Sequence, residues 1–451
     1  MSLYSAPSRL ATVVLTTIAT LAASVLAAMP AQADNRATPR NFTGYGFDQC
    51  VTPTQEAMDA WLTSSPYWAV GVYIAGDSRY CGDDKQVNLT PEWVSTQLRN
   101  GWRLLPITVG PQAWCNTRYK NKVRISPDPT DSYAKARAQG RDEARTTVQA
   151  ARRLGIVERS TLWYDLENFD ETRTPCRESA LSFLSAWTNK LHDLGYVSGV
   201  YSSAGSGIKA LDEARVLRPG TYTMPDRVWI AEWVHTTDYA RTHLTASVDS
   251  AYIADDAWMP HRRVRQYLGG HNETYGGVTI NIDSNYLDLG RGSVAPPEAK
   301  HCGGVTLNFP RYRRLGLKDD GAQVKAAQCL LRQLRLYQGE LRFVYTLKTQ
   351  RAVRSYQVSR SLPVSGVMTR RTWTALLSEG PKPLVKIGSA KPAVRRAQRS
   401  LNAAGEARLP VTGVFDRATT KAVRAYQAER GLRRTGVIAS DTWEELRRGR
   451  L

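Results

Sequence analysis

The 451-residue sequence lacks the patterns that would indicate a metal, redox or nucleotide-binding protein. None of its six cysteines belongs to a Cys-x-x-Cys pair, and its six histidines are scattered without the spacing of metal ligands. No Gly-x-Gly-x-x-Gly motif follows the first predicted strand, so nucleotide binding has no support. We therefore expect neither a metal nor a cofactor.

Long hydrophobic runs are also missing, except at the N-terminus. Residues 10–28 are uncharged, follow Arg9 and precede an Ala-Gln-Ala tripeptide that ends at Ala33, which has the spacing of a signal-peptide cleavage site. We expect residues 1–33 to be a signal peptide of the general secretory route, since they contain no Arg-Arg pair. An uncleaved membrane anchor is the alternative, because the run is nearly long enough to span a bilayer. Export would fit six cysteines paired as disulfides.

Acidic residues are scarce in the last third of the chain. From His301 onward there are 30 basic and 10 acidic residues, whereas the part before it has 31 of each, so the net charge of +20 lies entirely in this tail. A basic module of this kind seeks a polyanion such as nucleic acid, an anionic membrane or an acidic wall polymer. Export makes nucleic acid the poorest of these partners.

Residues 42–290 alternate short apolar segments with helical ones. The predicted strands are residues 41–48, 68–74, 103–109, 161–167, 197–201, 228–233, 263–267 and 279–282. Repeated strand-then-helix order over this length predicts an α/β fold, the (β/α)₈ TIM-type barrel, in which active sites lie at the carboxyl ends of the strands. A doubly wound sheet is the alternative.

The fourth predicted strand, residues 161–167, carries an unusual pair of charges. Strand alternation places Asp165 and Glu167 on one face. Two carboxyl groups on one face of a buried strand are unfavourable unless they are paired, hydrogen-bonded or used in chemistry. Glycoside hydrolysis uses such a pair, with one group protonated and the other ionised. Salt bridges to arginines at a strand end explain the pair equally well.

Other carboxyl and aromatic side chains fall at the remaining strand ends. Asp48, Glu232 and Asp283 end the first, sixth and last predicted strands. The aromatic residues near the same ends are Tyr73, Tyr201, Trp229, Trp233 and Tyr267. Sugars stack on aromatic rings and hydrogen-bond to acids and amides, so the set predicts a carbohydrate-binding cleft. Barrel packing is the alternative for each aromatic residue, and a turn hydrogen bond for Asp48 and Asp283.

Several of these segments resemble the strand-end motifs of family 25 lysozyme-type glycoside hydrolases. They are Gly46-Phe47-Asp48, Tyr164-Asp165-Leu166-Glu167, Trp229-Ile230-Ala231, Gln266-Tyr267 and Ile282-Asp283-Ser284-Asn285. The closer resemblance, over nearly all of residues 42–290, is to exported glycoside hydrolase-like barrel domains. It implies Glu167 as general acid, with Asp165, Asp283 and Asp48 stabilising charge or orienting water. Substrate contacts are expected from Tyr73, Tyr201, Trp229, Glu232, Trp233, Gln266, Tyr267 and Asn285.

The roles of two residues do not follow directly from the resemblance to these motifs. Glu232 follows the Trp-Ile-Ala run, where lysozymes usually have an aromatic or small polar residue. His271 lies in a glycine-rich segment, residues 269–277, which we interpret as a loop. We expect this histidine to fix the loop, and substrate binding is the alternative.

The C-terminal part contains a tandem duplication with an offset of 70 residues. Residues 324–328 (VKAAQ) match residues 394–398 (VRRAQ), and Trp373 matches Trp443. Each copy is predicted to contain three helices, and the pattern resembles the peptidoglycan-binding domain found beside wall hydrolases. Tyr356, Gln357, Tyr426 and Gln427 are expected to pack and cap rather than to bind ligand.

The repeat also helps to predict one disulfide pair and the domain boundaries. Cys302 and Cys329 lie in the first copy without counterparts in the second, so we expect them to pair; the other four, Cys50, Cys81, Cys115 and Cys176, can pair in three ways. We expect a barrel over residues 42–290, a Pro-rich linker over 291–300, and repeats over 301–380 and 381–451.

The sequence therefore predicts a secreted, cell-wall-associated protein. Our first hypothesis is a muramidase-type peptidoglycan hydrolase, whose repeats raise the local substrate concentration by tethering. The alternative is a non-catalytic barrel that binds wall glycan, and a weaker one is a hydrolase of another carbohydrate. We expect peptidoglycan and anionic wall polymers as partners, with neither nucleic acid binding nor membrane insertion after signal cleavage.

Overall fold

The computed structural model describes residues 41–118, 123–234, 238–405 and 407–451. The predicted signal peptide, residues 1–33, lies outside these ranges, so its assignment stays a prediction. Among the described residues, no helix combines the length and apolar character needed to cross a membrane.

Eight strands close into a barrel in chain order. They are β1 Phe42–Asp48, β2 Tyr67–Ala75, β3 Arg103–Thr108, β4 Thr161–Asp165, β5 Val197–Ser203, β6 Arg227–Ala231, β7 Arg262–Tyr275 and β8 Val278–Leu289. Strands β1 to β7 pair in parallel, whereas β8 is antiparallel to both β7 and β1. The predicted barrel is confirmed, with one strand reversed.

The reversal of β8 follows from a tight hairpin. Tyr275 pairs with Val278, and the two residues between them, Gly276 and Gly277, both have positive φ, 61° and 85°. Two-residue hairpins of this kind need left-handed backbone at both central positions, which glycine adopts at little steric cost. The chain therefore turns back at once, without the helical crossover that a parallel strand would require.

The prediction of a glycine-rich loop over residues 269–277 is wrong. Strand β7 continues through this segment, and His271 pairs with Ile282 of β8. The register shifts between Leu268 and His271, so Gly269 and Gly270 lie at a strand irregularity rather than in a loop. Only the last two glycines of the segment form the turn.

Helices cover the outside of the barrel. They are α1 Gln55–Ser64, α2 Pro91–Asn100, α3 Thr130–Arg153, α4 Thr174–Asp193, α5 Lys209–Leu217 and α6 Tyr239–Thr245. Strand β4 shows how the core divides: Leu162 and Tyr164 pack towards the helices, whereas Trp163 packs inside the barrel against Trp229. The predicted alternation on this strand thus separates the helix-facing core from the barrel interior.

Each C-terminal repeat contains three helices, as predicted. They are α7 Ala322–Gln333, α8 Leu347–Ser359 and α9 Arg370–Leu377, then α10 Pro392–Ala404, α11 Arg417–Glu429 and α12 Ser440–Arg447. Gln357 is fully buried, donates to Thr372 Oγ1 at 3.1 Å and accepts from the Gly366 amide at 2.9 Å. Gln427 makes the same two bonds in the second repeat, which confirms that these side chains hold the repeat together.

Three disulfides form within the described residues. They join Cys50 to Cys81, Cys115 to Cys176, and Cys302 to Cys329. The last is the pair expected from the repeat, and the first two select one of the three open arrangements. Cys50 and Cys81 follow β1 and β2, so their disulfide links two loops at the carboxyl ends of the strands.

The second repeat packs directly on the barrel at the end opposite these loops. Lys386 donates to the Leu62 carbonyl at 2.7 Å and lies over the rings of Trp68 and Trp102, 4.6 and 5.1 Å from their centroids. The Gly388 carbonyl accepts from Ser293 Oγ at 2.7 Å. The repeat therefore contacts the amino ends of the barrel strands.

Candidate active site

Four carboxyl groups line one cleft of about 390 Å³ at the carboxyl ends of the strands. Asp48 and Asp165 are the last residues of β1 and β4, and Glu167 follows β4 by two residues. Asp283 comes from within β8, where the antiparallel register pairs it with Asp48. The structure thus brings together the four acids to which the resemblance assigns catalytic roles, and Glu232, the fifth acid at a predicted strand end, does not line the cleft.

Asp48 is held in place by three hydrogen-bond donors. It is 2 % exposed and accepts from Asn285 Nδ2 at 2.6 Å, Gln266 Nε2 at 3.2 Å and Tyr73 Oη at 3.4 Å. Burial raises the pKa of this carboxyl to about 6, although the three donors favour the ionised form. Asp48 is thus poised to change its charge near neutral pH.

Gln266 connects Asp48 to Asp283 and to the aromatic wall. Its Oε1 accepts from Tyr201 Oη at 2.9 Å and from Trp233 Nε1 at 2.8 Å, so its Nε2 must point towards the acids. Besides the bond to Asp48, that nitrogen lies 3.5 Å from Asp283 Oδ2. One amide therefore fixes the spacing of two carboxyl groups.

Asp283 and Asp165 hold their protons more tightly than ordinary carboxyl groups. Burial raises the pKa of Asp283 to about 8, helped by the nearby charges of Asp48 and Glu167 and opposed by Arg118. Burial and the charge of Glu167 raise the pKa of Asp165 well above its usual range. Because these buried carboxyl groups lie close to one another, they cannot all be ionised at neutral pH.

The β4 end that carries Asp165 and Glu167 is clamped by Gln112. This side chain is fully buried, accepts from the Glu167 amide at 2.9 Å and donates to the Asp165 carbonyl at 2.8 Å. Arg118 Nη1 lies 3.7 Å from Glu167 Oε1. Sequence reasoning missed both Gln112 and Arg118, because a single residue in the long segment after β3 carries no periodic signal.

Aromatic side chains form the remaining walls of the cleft. Tyr73, Tyr201 and Trp233, three of the expected substrate-binding residues, line it, and Trp233 is 51 % exposed. Tyr80 lies at the rim, is 82 % exposed, and was not predicted. Its neighbour Cys81 in the rim disulfide is the signal that could have identified it.

Four of the predicted substrate-binding residues do not line the cleft. Trp229 lies in the barrel interior and donates to Asn285 Oδ1 at 2.7 Å. Asn285 in turn donates to Asp48, so both side chains support this acid from inside the barrel. Tyr267 points out of the barrel towards His243 Nδ1, at 2.6 Å, because strand alternation turns Gln266 inward. Glu232 pairs with Arg265 at 3.3 Å. The direct substrate contacts expected of these four do not match their positions.

His271 lies away from the cleft in a buried polar network. Its Nε2 is 2.9 Å from Glu273 Oε1, and its Nδ1 is 2.9 Å from the Gly269 carbonyl. These contacts fit a histidine that fixes local backbone. Among the described residues, no group of three or more His, Cys, Asp or Glu side chains is arranged to hold a metal ion.

The family description "Rv2525c-like, glycoside hydrolase-like domain" matches residues 59–287. The chain belongs to this family. A putative peptidoglycan-binding domain matches residues 320–376 and 390–446, one match in each repeat. No curated protein matches the chain. The protein is therefore a glycoside hydrolase-like barrel joined to two peptidoglycan-binding domains.

Several solved structures are similar to part of this chain at low sequence identity. An uncharacterized B. stearothermophilus protein is 19% identical over 54% of this chain and 95% of its own, with a TM-score of 0.34. The Tat-secreted protein Rv2525c of Mycobacterium tuberculosis is 14% identical over 55% and 97%, with a TM-score of 0.34. A family 25 glycosyl hydrolase from Bacillus anthracis is 12% identical over 55% and 89%, with a TM-score of 0.31.

Proposed function

We propose that this protein is a secreted muramidase-type peptidoglycan hydrolase that works while its two repeats hold it at the cell wall. Its substrate is the glycan strand, and the bond is the one between N-acetylmuramic acid and N-acetylglucosamine. Export through the predicted signal peptide, residues 1–33, is part of the proposal, as is release of the mature chain from the membrane.

One observation carries the proposal: four carboxyl groups meet in a cleft that also has an exposed aromatic wall. The acids differ in environment, since Asp48 accepts three hydrogen bonds, whereas described residues leave Asp165 Oδ1 without a partner. Different environments push pKa values apart, which is what acid-base work on a glycosidic bond requires. Trp233 and Tyr80 offer exposed rings for the apolar faces of sugars.

In the proposed reaction Glu167 gives its proton to the glycosidic oxygen as the bond to the anomeric carbon breaks. Water supplies the hydroxyl that ends on that carbon, and its other proton returns to the carboxyl cluster, so the acid is restored. Glu167 suits this role because its side chain is 21 % exposed, whereas Asp48 and Asp165 are nearly inaccessible. Asp165 and Asp283 retain protons nearby, and Asp48 supplies negative charge.

A non-catalytic glycan-binding barrel is the second candidate. The dense bonding of Asp48 and the approach of Arg118 to Glu167 favour it, because a fixed polar cleft can bind sugar hydroxyls without cleaving a bond. Both candidates predict adhesion to peptidoglycan through the repeats, so adhesion alone cannot separate them.

The test uses the mature protein, its Glu167→Gln variant and the control Asp84→Asn, which makes a similar acid-to-amide change at an exposed site. Each is incubated with insoluble peptidoglycan, and both co-sedimentation and new reducing ends are measured. We expect all three to sediment and Glu167→Gln to lose roughly 100- to 10,000-fold of the rate of release, the usual contribution of a general acid.

Two results would count against hydrolysis by Glu167. Sedimentation without reducing ends from any of the three would favour the glycan-binding candidate. Equal release by wild type and Glu167→Gln would keep the hydrolase but move the proton donor to another acid, with Asp283 the first alternative because its pKa is raised to about 8.

A further inference from the structure

The second repeat and the barrel form a basic groove that is separate from the carboxyl cleft. Its volume is about 350 Å³, and it lies between the hairpin tip of β7 and β8 and the second repeat. The barrel contributes Thr274 and Gly277, and the repeat contributes Arg424, Arg433 and Arg434. The groove is therefore made only when this repeat packs on the barrel.

The three arginines of this groove have no acidic counterpart in the described part of the chain. No Asp or Glu is among the described residues that line it, and none of the three guanidinium groups is within ion-pair distance of a described carboxylate. Arg433 and Arg434 are exposed, while Arg424 Nε is buried without a hydrogen-bond partner among the described residues. The exposed guanidinium groups of Arg433 and Arg434 are therefore the ones that an anionic ligand in the groove can reach.

The repeat fold itself does not require this charge. In the first repeat, the positions 70 residues before Arg433 and Arg434 hold Pro363 and Val364, while Arg424 corresponds to Arg354. The two repeats share their buried glutamine bonds, so they fold alike with or without the basic pair. The pair is present in the repeat that contacts the barrel, which points to a role for the groove they share.

We propose that this groove binds a phosphodiester-linked anionic polymer of the cell wall. Guanidinium groups recognise phosphate oxygens through paired N–H donors, and a row of them along an open groove suits a chain of repeated phosphates. Gly277 leaves open space at the hairpin tip, since a Cβ there would meet nothing within 4 Å. The inference does not depend on whether the carboxyl cleft cleaves glycan.

Nucleic acid is the competing polyanion, and the groove suits it less. Single-stranded nucleic acid is usually held by aromatic rings on which bases stack. Among the described residues that line the groove, the one aromatic residue is Tyr275, which packs edge-on against Trp61 and Tyr67 with ring centroids 5.1 and 6.1 Å apart. Its ring is therefore engaged in the barrel and does not form a stacking surface.

The test measures binding of the full mature protein to synthetic poly(glycerol phosphate) and to a single-stranded oligothymidylate. The groove variant is Arg433→Gln with Arg434→Gln. The control is Arg314→Gln with Arg351→Gln, which removes the same charge from exposed sites of the first repeat. Both pairs are exposed, so both proteins should fold, and thermal unfolding checks this.

We expect the groove variant to bind poly(glycerol phosphate) roughly tenfold more weakly, with a salt dependence smaller by about one to two counterions. The control should change affinity by less than about twofold. An equal loss in both variants would reduce the effect to net charge and overturn the proposal. An unchanged groove variant, or a loss confined to the oligothymidylate, would overturn it as well.

Discussion

At the carboxyl ends of its strands the barrel holds four acids in an open cleft, whereas at the amino ends it buries one lysine. Asp48, Asp165 and Asp283 have few charge partners other than one another, and their pKa values rise. Lys386 is fully buried, and burial lowers its pKa well below the usual value, with Arg103 adding to the effect. Both ends thus contain groups whose charged form is disfavoured.

The two ends differ in what compensates for burial. Lys386 donates to a backbone carbonyl and lies over two tryptophan rings, so protein groups surround its ammonium group without any ligand. The acids remain beside an open cleft of about 390 Å³ where a ligand can reach them. The lysine therefore joins the second repeat to the barrel, whereas the acids remain accessible to a ligand.

The largest effect should appear in the pH dependence of hydrolysis. If the active form has Asp48 ionised and Asp283 protonated, activity should rise with pH to about 6 and fall above about 8. Beyond each limit the rate should change about tenfold per pH unit. Release of reducing ends, measured from pH 4.5 to 9.5, follows both the rise and the fall in activity. If Asp283→Asn showed the same fall above pH 8 as the wild type, Asp283 would not be the group whose ionisation causes it.

Substitutions of Lys386 should change the stability of the protein and leave the activity of each folded molecule unchanged. Lys386→Ala removes a fully buried aliphatic stem together with the ammonium group that lies over two tryptophan rings, so we expect a loss of about 2–4 kcal/mol in the free energy of unfolding. Lys386→Met keeps the volume and removes the buried charge, so it should differ from wild type by less than about 1.5 kcal/mol. Urea unfolding at neutral pH compares them.

Exposed Lys318→Met, in the first repeat, is the control for the loss of a lysine. If Lys386→Ala were as stable as this control, the second repeat would not be held by the contacts seen at the amino ends. If Lys386→Met were as unstable as Lys386→Ala, the charge and not the packing would hold it.

A smaller effect is expected when Asp283 in the cleft is replaced. Unlike Lys386→Ala, this substitution should increase the free energy of unfolding. The folded-state pKa of Asp283 is raised to about 8, so its proton stabilises the folded state below its ordinary pKa of about 3.9 and this stabilisation is lost as pH rises towards 8. Asn cannot ionise, so Asp283→Asn should match wild type at pH 4 and exceed it by about 1–3 kcal/mol at pH 8.5.

Thermal unfolding at the two pH values measures this difference, with Asp84→Asn as an exposed control that should show none. A variant less stable than wild type at pH 8.5 would mean that Asp283 makes favourable ionic contacts. Protein groups would then compensate for its burial, as they do for Lys386. A gain in stability on replacing Asp283 is the behaviour expected of a group that is kept in an unfavourable environment.

Sequence reasoning found the barrel because strand and helix periods are local properties. It also found the four acids, because the carboxyl ends of parallel strands meet at one mouth in any barrel of this kind. It did not predict the reversal of β8, which depends on the φ values of Gly276 and Gly277. Nor could it predict the place of Lys386, because docking of the second repeat depends on contacts far apart in the chain.

The positions of some aromatic side chains also could not be predicted from the sequence. Trp229 and Tyr267 lie near predicted strand ends, yet one fills the barrel interior and the other faces outward. Position along a strand does not tell how deep a ring lies, because depth depends on the stagger of neighbouring strands. Tyr80 was missed for the opposite reason, since it lies in a rim loop without periodicity.

The smallest effect tests this rim residue. Tyr80 is 82 % exposed beside Cys81, and Lys85 lies over its ring at 5.1 Å from the centroid. If a sugar stacks on the other face, Tyr80→Ala should raise KM about three- to tenfold at unchanged kcat, whereas Tyr80→Phe should retain wild-type values. Kinetics on soluble glycan fragments measure both, and the exposed Val87→Ala provides the control. A fall in kcat for Tyr80→Ala would place the ring at the reacting bond instead, and equal KM values would confine substrate to the cleft between Trp233 and the acids.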